Sequence, residues 1–144
     1  MSINPKTSAV DRTALSVAFT VGLYGAAFGA AGVTADFSVL QTCLLSLLLF
    51  SGASQFAVVG IMGAGGAAIS AIATATLLGF RNALYGVQMA PILKVTGIKR
   101  ILAAQITIDE STAVSTLQDN DVDRKRGFYL TGIGVYIFWN FFTF

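Results

Sequence analysis

The feature that most constrains this chain is a long run without charge. Between Asp36 and Arg81 lie 44 residues with no Asp, Glu, Lys or Arg. One helix needs roughly 20 apolar residues to cross the hydrocarbon core of a bilayer, so this run has about twice the required length. It therefore predicts two membrane helices, at about residues 37–59 and 67–90, joined by a glycine-rich turn at residues 63–66.

The composition supports the same interpretation for the rest of the chain. Of the 144 residues, 55% are hydrophobic and only 11% are charged, which is too apolar for an ordinary soluble domain. Residues 1–12 are polar, and further apolar segments follow at about 13–35, 101–118 and 127–144. We predict an all-α fold: a single transmembrane domain over residues 1–144, built as a polytopic helical bundle of about five segments in a lipid bilayer.

Composition also excludes several classes of function. The chain has no His and only one Cys, so it cannot form an internal disulfide, a His or multi-Cys metal cluster, or a Ser-His or Cys-His catalytic pair. The net charge of +2 comes from Lys and Arg near the apolar segments and gives no sign of nucleic-acid binding. We therefore predict no enzymatic activity, no metal, no cofactor and no nucleic-acid partner.

A polar cluster lies in the middle of the uncharged run, in the sequence Phe-Ser-Gly-Ala-Ser-Gln-Phe. Ser51, Gly52, Ser54 and Gln55 raise the free energy of a chain in lipid unless they face protein or water. A helix broken at membrane depth frees backbone N–H and C=O groups, with which transporters bind small polar solutes. We predict a broken helix near residues 51–55 that binds substrate. The alternative is close packing of helices through small residues.

Four glycines of the first apolar segment share one side of a helix. Gly22, Gly25, Gly29 and Gly32 fall at i, i+3, i+7 and i+10, within an arc of about 80°. Such a bare face allows a neighbouring helix to pack closely, or allows a substrate to pass along the main chain. We favour close packing.

A polar stripe is predicted on the helix that contains the first charge after the run. On a continuous helix, Ser70, Thr74, Arg81, Tyr85 and Gln88 fall within about 60° of one another, which predicts that they face a cavity. An arginine inside a membrane usually has a carboxylate partner. We therefore predict a carboxylate within about 4 Å of the guanidinium. In the alternative, the helix ends just before the arginine and its side chain extends to the lipid headgroups.

Two adjacent acids mark the fourth segment. On a continuous helix Gln105, Asp109, Thr112 and Thr116 lie within about 60°, while Glu110 points about 100° away. Acids inside a membrane helix are typical of a proton relay or a cation site. We predict that Asp109 is the proton-coupling residue and that Glu110 supports it or pairs with the arginine. The alternative is a helix at the membrane surface with both acids in water.

Three motifs together resemble one known family. They are Phe-Ser-Gly-Ala-Ser-Gln-Phe-Ala at residues 50–57, Phe-Arg-Asn-Ala-Leu-Tyr-Gly at 80–86 and Asp-Glu-Ser-Thr-Ala at 109–113. Their order and spacing resemble the large subunit of the AzlC-type branched-chain amino-acid exporters, over nearly the whole chain. The resemblance implies a multi-pass permease of the bacterial inner membrane that exports leucine, isoleucine and valine. It also implies proton coupling and a smaller AzlD-type membrane subunit as partner.

The resemblance and the residue patterns together give a candidate site. We expect seven substrate-binding residues and two proton-coupling residues: Ser51, Gly52, Ser54, Gln55, Arg81, Asn82 and Tyr85, with Asp109 and Glu110 for the proton. Proteins of this family continue through further membrane helices, so we expect the chain to be the amino-terminal part of a longer permease. The alternative function is a membrane scaffold that packs with a partner subunit and transports nothing.

Overall fold

The computed structural model describes the backbone of residues 5–144 and the side chains from residue 8 onward. The regular secondary structure of this part of the chain is all α-helical, as predicted. It forms eight helices: α1 (Pro5–Gly22), α2 (Tyr24–Thr34), α3 (Val39–Leu48), α4 (Gly52–Gly63), α5 (Ala68–Leu93), α6 (Ile98–Gln105), α7 (Asp109–Thr116) and α8 (Asp121–Thr143).

Helices α1 and α2 form the longest apolar stretch. Only Leu23 separates them, and its N–H donates to the Phe19 carbonyl at 3.1 Å, so the helical ladder continues across the junction. The stretch Ser8–Thr34, of 27 residues, is the one helix within residues 5–144 that is long and apolar enough to cross a membrane. The five-segment bundle therefore stays a prediction.

Helix α8 packs against α1, α2, α3 and α7, and the glycine face allows its close approach. A Cβ added to Gly29 would lie 2.6 Å from the Thr143 carbonyl oxygen, and one added to Gly25 would collide with the Trp139 carbonyl. Real Cβ atoms essentially never lie under 3.0 Å from a neighbour. Close packing, the interpretation we favoured for this face, is confirmed. The remaining two glycines contact side chains: Gly22 lies against Phe138, and Gly32 against Thr42.

The predicted break in the second segment is present, but it begins two residues earlier than predicted and overlaps the predicted range only at Ser51. Helix α3 ends at Leu48 and α4 begins at Gly52, so the break is at residues 49–51, and residues 52–55 form the first turn of α4. The reason is the side chain of Gln55. Its Nε2 donates back to the Leu49 carbonyl at 2.6 Å and to the Ser46 carbonyl at 3.3 Å, which satisfies carbonyl groups freed by the break.

A second break, which the sequence did not predict, divides the segment at residues 101–118. Helix α6 ends at Gln105 and α7 begins at Asp109. The Ser111 hydroxyl stabilises the break because it accepts from the Ile108 N–H at 3.1 Å and donates to the Ile106 carbonyl at 2.8 Å. The continuous helical face predicted for Gln105 and Asp109 is therefore wrong.

Helix α5 is continuous through the arginine, as the main prediction required. It runs to Leu93, so the alternative in which the helix ends just before Arg81 is wrong. The predicted stripe is only partly correct. Ser70 and Gln88 are exposed, whereas the buried side of the helix carries small and apolar residues such as Ala71 and Met89.

The main core cluster lies where both breaks meet α1, α2, α4 and α8. Phe50 comes from the first break and Ile108 from the second, and Phe28 of α2 is fully buried in the same cluster. Its buried members are Ala18, Phe28, Phe50, Val59, Ile108, Val135 and Trp139. Packing at both breaks therefore depends on one shared apolar cluster.

Candidate functional site

A small cavity of about 100 Å³ lies between the two helix breaks. Residues from α1, α4, α5, α7, α8 and the two breaks line it. Its polar lining comprises Ser51, Arg81, Asn82, Asp109 and Glu110, with the Gly52 and Ala53 backbone beside them. Its apolar lining comprises Val21, Phe50, Ile108, Val135 and Trp139.

The amino termini of two helices border this cavity. Gly52 and Ala53 are the first residues of α4, and Asp109 and Glu110 are the first residues of α7. The first N–H groups of a helix have no partner within it, and the Ser51 side chain makes no capping bond to them in the described structure. Helix amino termini also carry a partial positive charge. The α4 end is thus suited to bind a carboxylate.

An ion pair connects α5 to α7 at the cavity. Arg81 Nη1 lies 2.8 Å from Asp109 Oδ2, and the two side chains are 43% and 39% exposed. This confirms the predicted carboxylate near the guanidinium and shows that the partner is Asp109 and not Glu110. The other carboxylate oxygen, Asp109 Oδ1, is buried and has no hydrogen-bond partner among the described residues. An acceptor of this kind is available to a ligand that brings a donor.

Glu110 also lines the cavity, half-buried beside Asp109. It forms no salt bridge with any side chain that the structure describes. The supporting role predicted for Glu110 therefore rests on its position in the cavity alone.

The charged side chains of the cavity suit a small zwitterion. Among residues 5–144, no group of three or more His, Cys, Asp or Glu side chains could hold a metal ion. The carboxylates of Asp109 and Glu110 lie beside the guanidinium of Arg81, so both signs of charge are present. Such a site can bind an ammonium group and a carboxylate group at the same time.

Three of the predicted substrate-binding residues do not line the cavity. Ser54 is fully buried, and its hydroxyl donates to the Ala75 carbonyl at 2.8 Å, which joins α4 to α5. Gln55 is fully buried and holds the end of α3. Tyr85 lies half-buried one turn beyond Arg81 on α5. Ser54 and Gln55 position the cavity wall, whereas no contact among the described residues connects Tyr85 to the cavity.

A side-chain amide joins the end of α6 to the end of α3, next to the two breaks. Gln105 Nε2, at the end of α6, donates to the Leu47 carbonyl near the end of α3 at 3.1 Å. The Tyr136 hydroxyl of α8 donates to the same oxygen at 3.2 Å. The carbonyl end of α3 is therefore bonded to both α6 and α8.

Trp139 is a cavity residue that the sequence analysis missed. It is 6% exposed and lines the cavity. A Cβ added to Gly52 would lie 3.1 Å from Trp139 Cη2, so glycine allows the indole ring to cover the start of α4. The indole Nε1 is buried without a partner among the described residues. Its signal in the sequence was its position beside Asn140, a polar residue inside the last apolar run.

Comparison with known proteins gives one match. The model of the family described as AzlC protein matches residues 16–144. The match contains both helix breaks and every residue that lines the cavity. A search of curated proteins finds no match, and a search of solved structures finds none either.

Proposed function

The chain belongs to the AzlC protein family, and we propose that it exports branched-chain amino acids by exchange with protons. Family membership supports a membrane-located, transport-related role and gives no support for an enzyme. The substrate and the proton coupling are our proposal. The observation that carries it is the Arg81–Asp109 ion pair at a cavity bordered by two helix amino termini.

The binding mode follows from the charges of the substrate. A leucine zwitterion would bind between Arg81 and Asp109 and separate them. Its carboxylate would accept hydrogen bonds from Arg81 and from the first N–H groups of α4. Its ammonium group would donate to Asp109, whose Oδ1 lacks a partner among the described residues. The branched side chain would contact the apolar wall, including Phe50 and Trp139. An amino acid with a charged side chain would find no partner on that wall.

The size of the cavity implies that the protein must open to bind its substrate. Sites for small ligands usually have volumes of about 300 Å³ or more. The cavity here has about 100 Å³. The structure therefore corresponds to a closed state, in which Arg81 and Asp109 bind each other in place of substrate. Separation of α5 from α7 would enlarge the cavity and release both charges.

Proton coupling follows from competition for one carboxylate. A proton on Asp109 removes the negative charge to which the substrate ammonium would bind. Proton and substrate therefore exclude each other at this residue, as an exchange mechanism requires. The proton would bind Asp109 on the side to which substrate is released and leave on the side from which substrate binds.

We further propose that the chain is the large subunit of a two-component exporter in the bacterial inner membrane, with an AzlD-type small membrane subunit as partner. The exposed apolar side chains of α5 support an environment of lipid or partner, because Leu77 is 77% and Val87 is 74% exposed. In this multi-pass arrangement, α3 with α4 and α6 with α7 would form two interrupted membrane segments.

A series of competitors tests this function. Proteoliposomes that contain the complete permease and its partner subunit would take up labelled leucine under an imposed pH gradient. Leucine, isoleucine and valine should compete with the label. 4-Methylpentanoate lacks the ammonium group and 3-methylbutylamine lacks the carboxylate, so each should compete at least about tenfold more weakly. Equal competition by either analogue would contradict the zwitterion site. Absence of leucine transport in these proteoliposomes would favour the scaffold alternative.

A further inference from the structure

Two apolar grooves flank α6, and neither belongs to the substrate cavity. The α6–α8 groove has a volume of about 550 Å³ and is lined by residues such as Leu102 and Ile133. The α5–α6 groove has a volume of about 530 Å³ and is lined by residues such as Val87 and Leu93. Ala103, which is 4% exposed, lines both. The two grooves therefore run along opposite sides of one short helix.

Each groove has one basic residue in its lining, and the two residues are consecutive. Lys99 lines the α6–α8 groove, and Arg100 lines the α5–α6 groove. Of the residues described as lining either groove, none is Asp or Glu. Neither basic residue forms a salt bridge with the side chains described from residue 8 onward. Both charges therefore lie beside apolar space without an acidic partner.

The position of these charges on the helix favours an anion. Lys99 and Arg100 lie in the first turn of α6, where the helix dipole already contributes positive charge. Cations are usually stabilised at the opposite end of a helix, so the arrangement raises the free energy of α6 until a negative group binds. The same helix exposes large apolar side chains, with Ile98 at 67% and Ile101 at 65%. Basic residues at the end of an apolar membrane segment are typical of contact with lipid headgroups.

We propose that α6 binds one anionic diacyl phospholipid. The phosphate group binds Lys99 and Arg100. The two acyl chains lie on either side of α6, one in each groove. Charge complementarity selects the headgroup, and the apolar linings on both sides of Ala103 accept the chains.

This lipid would also support the substrate cavity. Gln105 lies at the end of α6, lines the α6–α8 groove and donates to the Leu47 carbonyl at the first break. A lipid that holds α6 in place therefore also holds the hydrogen bond that joins the end of α6 to the end of α3. The proposal does not depend on which substrate the cavity binds.

Lipid retention measured by native mass spectrometry tests the proposal. The complete permease with its partner subunit would be purified in detergent and incubated with phosphatidylglycerol or with phosphatidylcholine of the same acyl chains. The wild-type complex should retain phosphatidylglycerol in preference to phosphatidylcholine. Lys99→Gln and Arg100→Gln should each weaken this retention about fivefold, and the double variant about 25-fold, the values expected for loss of one or two basic residues near an anionic lipid.

The matched control is Lys94→Gln. Lys94 carries the same charge in the adjacent loop, with φ of 54°, and it lines neither groove among the residues described. This variant should retain phosphatidylglycerol within about twofold of wild type. Equal retention of both lipids by wild type, or unchanged retention by the double variant, would overturn the proposal. Absence of retained phosphatidylglycerol from the wild-type complex would also overturn it and would assign the grooves to a protein segment.

Discussion

Arg81 Nη1 lies 2.8 Å from Asp109 Oδ2, although the two residues belong to helices separated by two loops and a third helix. Both side chains are close to 40% exposed, at 43% and 39%. Ion pairs with this exposure contribute only about 0–1 kcal/mol to stability. The pair therefore has little importance for folding. Its importance lies in the two opposite charges that it presents to the cavity.

The first prediction compares two arginines that have similar surroundings. Arg81 pairs with Asp109 at the cavity, while Arg126 pairs with Asp11 away from it, with an Nη2 to Oδ2 distance of 2.8 Å. The guanidinium side chains are 43% and 45% exposed. Arg81→Gln should lower leucine transport at least tenfold, because a charged hydrogen bond to the substrate is lost.

Arg126→Gln is the control and should leave transport within about twofold, since exposed pairs contribute little. Transport would be measured in proteoliposomes that contain equal amounts of folded protein. If both variants transport leucine equally well, Arg81 has no special role and the binding mode is wrong.

The second prediction concerns the amide that supports the first break. Gln55 is fully buried, and its Nε2 donates to the Leu49 carbonyl at 2.6 Å. In Gln55→Leu the Leu49 carbonyl keeps its bond from the Ser51 N–H, but the buried Ser46 carbonyl loses the donor that bonds it at 3.3 Å. The free energy of unfolding should therefore fall by about 1–3 kcal/mol. Gln88→Leu on the exposed side of α5 should change stability by less than about 0.5 kcal/mol. Thermal unfolding of the purified variants measures both, and an unchanged melting temperature for Gln55→Leu would exclude this role.

The third prediction concerns the contact between α2 and α8. A Cβ at Gly29 would lie 2.6 Å from the Thr143 carbonyl oxygen, whereas a Cβ at Gly60 would meet no described atom within 4 Å. Gly29→Ala should therefore destabilise the protein by about 1–3 kcal/mol through overpacking. Gly60→Ala should be neutral or stabilise it by up to about 1 kcal/mol, because alanine favours helix. Equal stability of the two variants would show that the helices are not in close contact at Gly29.

Sequence alone predicted those parts of the structure that depend on local polarity. The polar cluster at residues 51–55 indicated a broken helix, and the break begins two residues before it because Gln55 satisfies carbonyls from within α4. The glycine face was interpreted correctly, since spacing alone reveals a shared side. The prediction that Arg81 has a carboxylate partner was also correct, because a charge in an apolar environment requires a partner.

The second break could not be predicted in this way. The segment at residues 101–118 has the length and the pattern of one helix, and its break depends on how the Ser111 hydroxyl is placed in three dimensions. That error changed the predicted surroundings of Gln105, which contacts the Leu47 carbonyl instead of sharing a face with Asp109. Helical spacing assigns residues to a common face only on a continuous helix. The assignment is wrong where a side-chain hydrogen bond replaces a backbone hydrogen bond and the helix breaks. Which of the two acids pairs with Arg81 likewise depends on the placement of the side chains in three dimensions.

The proposed exchange depends most on Asp109, the residue for which proton and substrate compete. In proteoliposomes that contain the complete permease and its partner, leucine accumulation under an imposed pH gradient and exchange of leucine for leucine would be measured for the same variants. Asp109→Asn should abolish accumulation, since an amide cannot take up the proton. It should also weaken exchange, with a KM raised at least about tenfold, because the amide oxygen accepts a hydrogen bond from the ammonium group but lacks the negative charge that binds it. Glu110→Gln should reduce accumulation only in part. If Asp109→Asn leaves pH-driven accumulation intact while Glu110→Gln abolishes it at normal expression, Asp109 is not the coupling residue and the proposed competition is wrong.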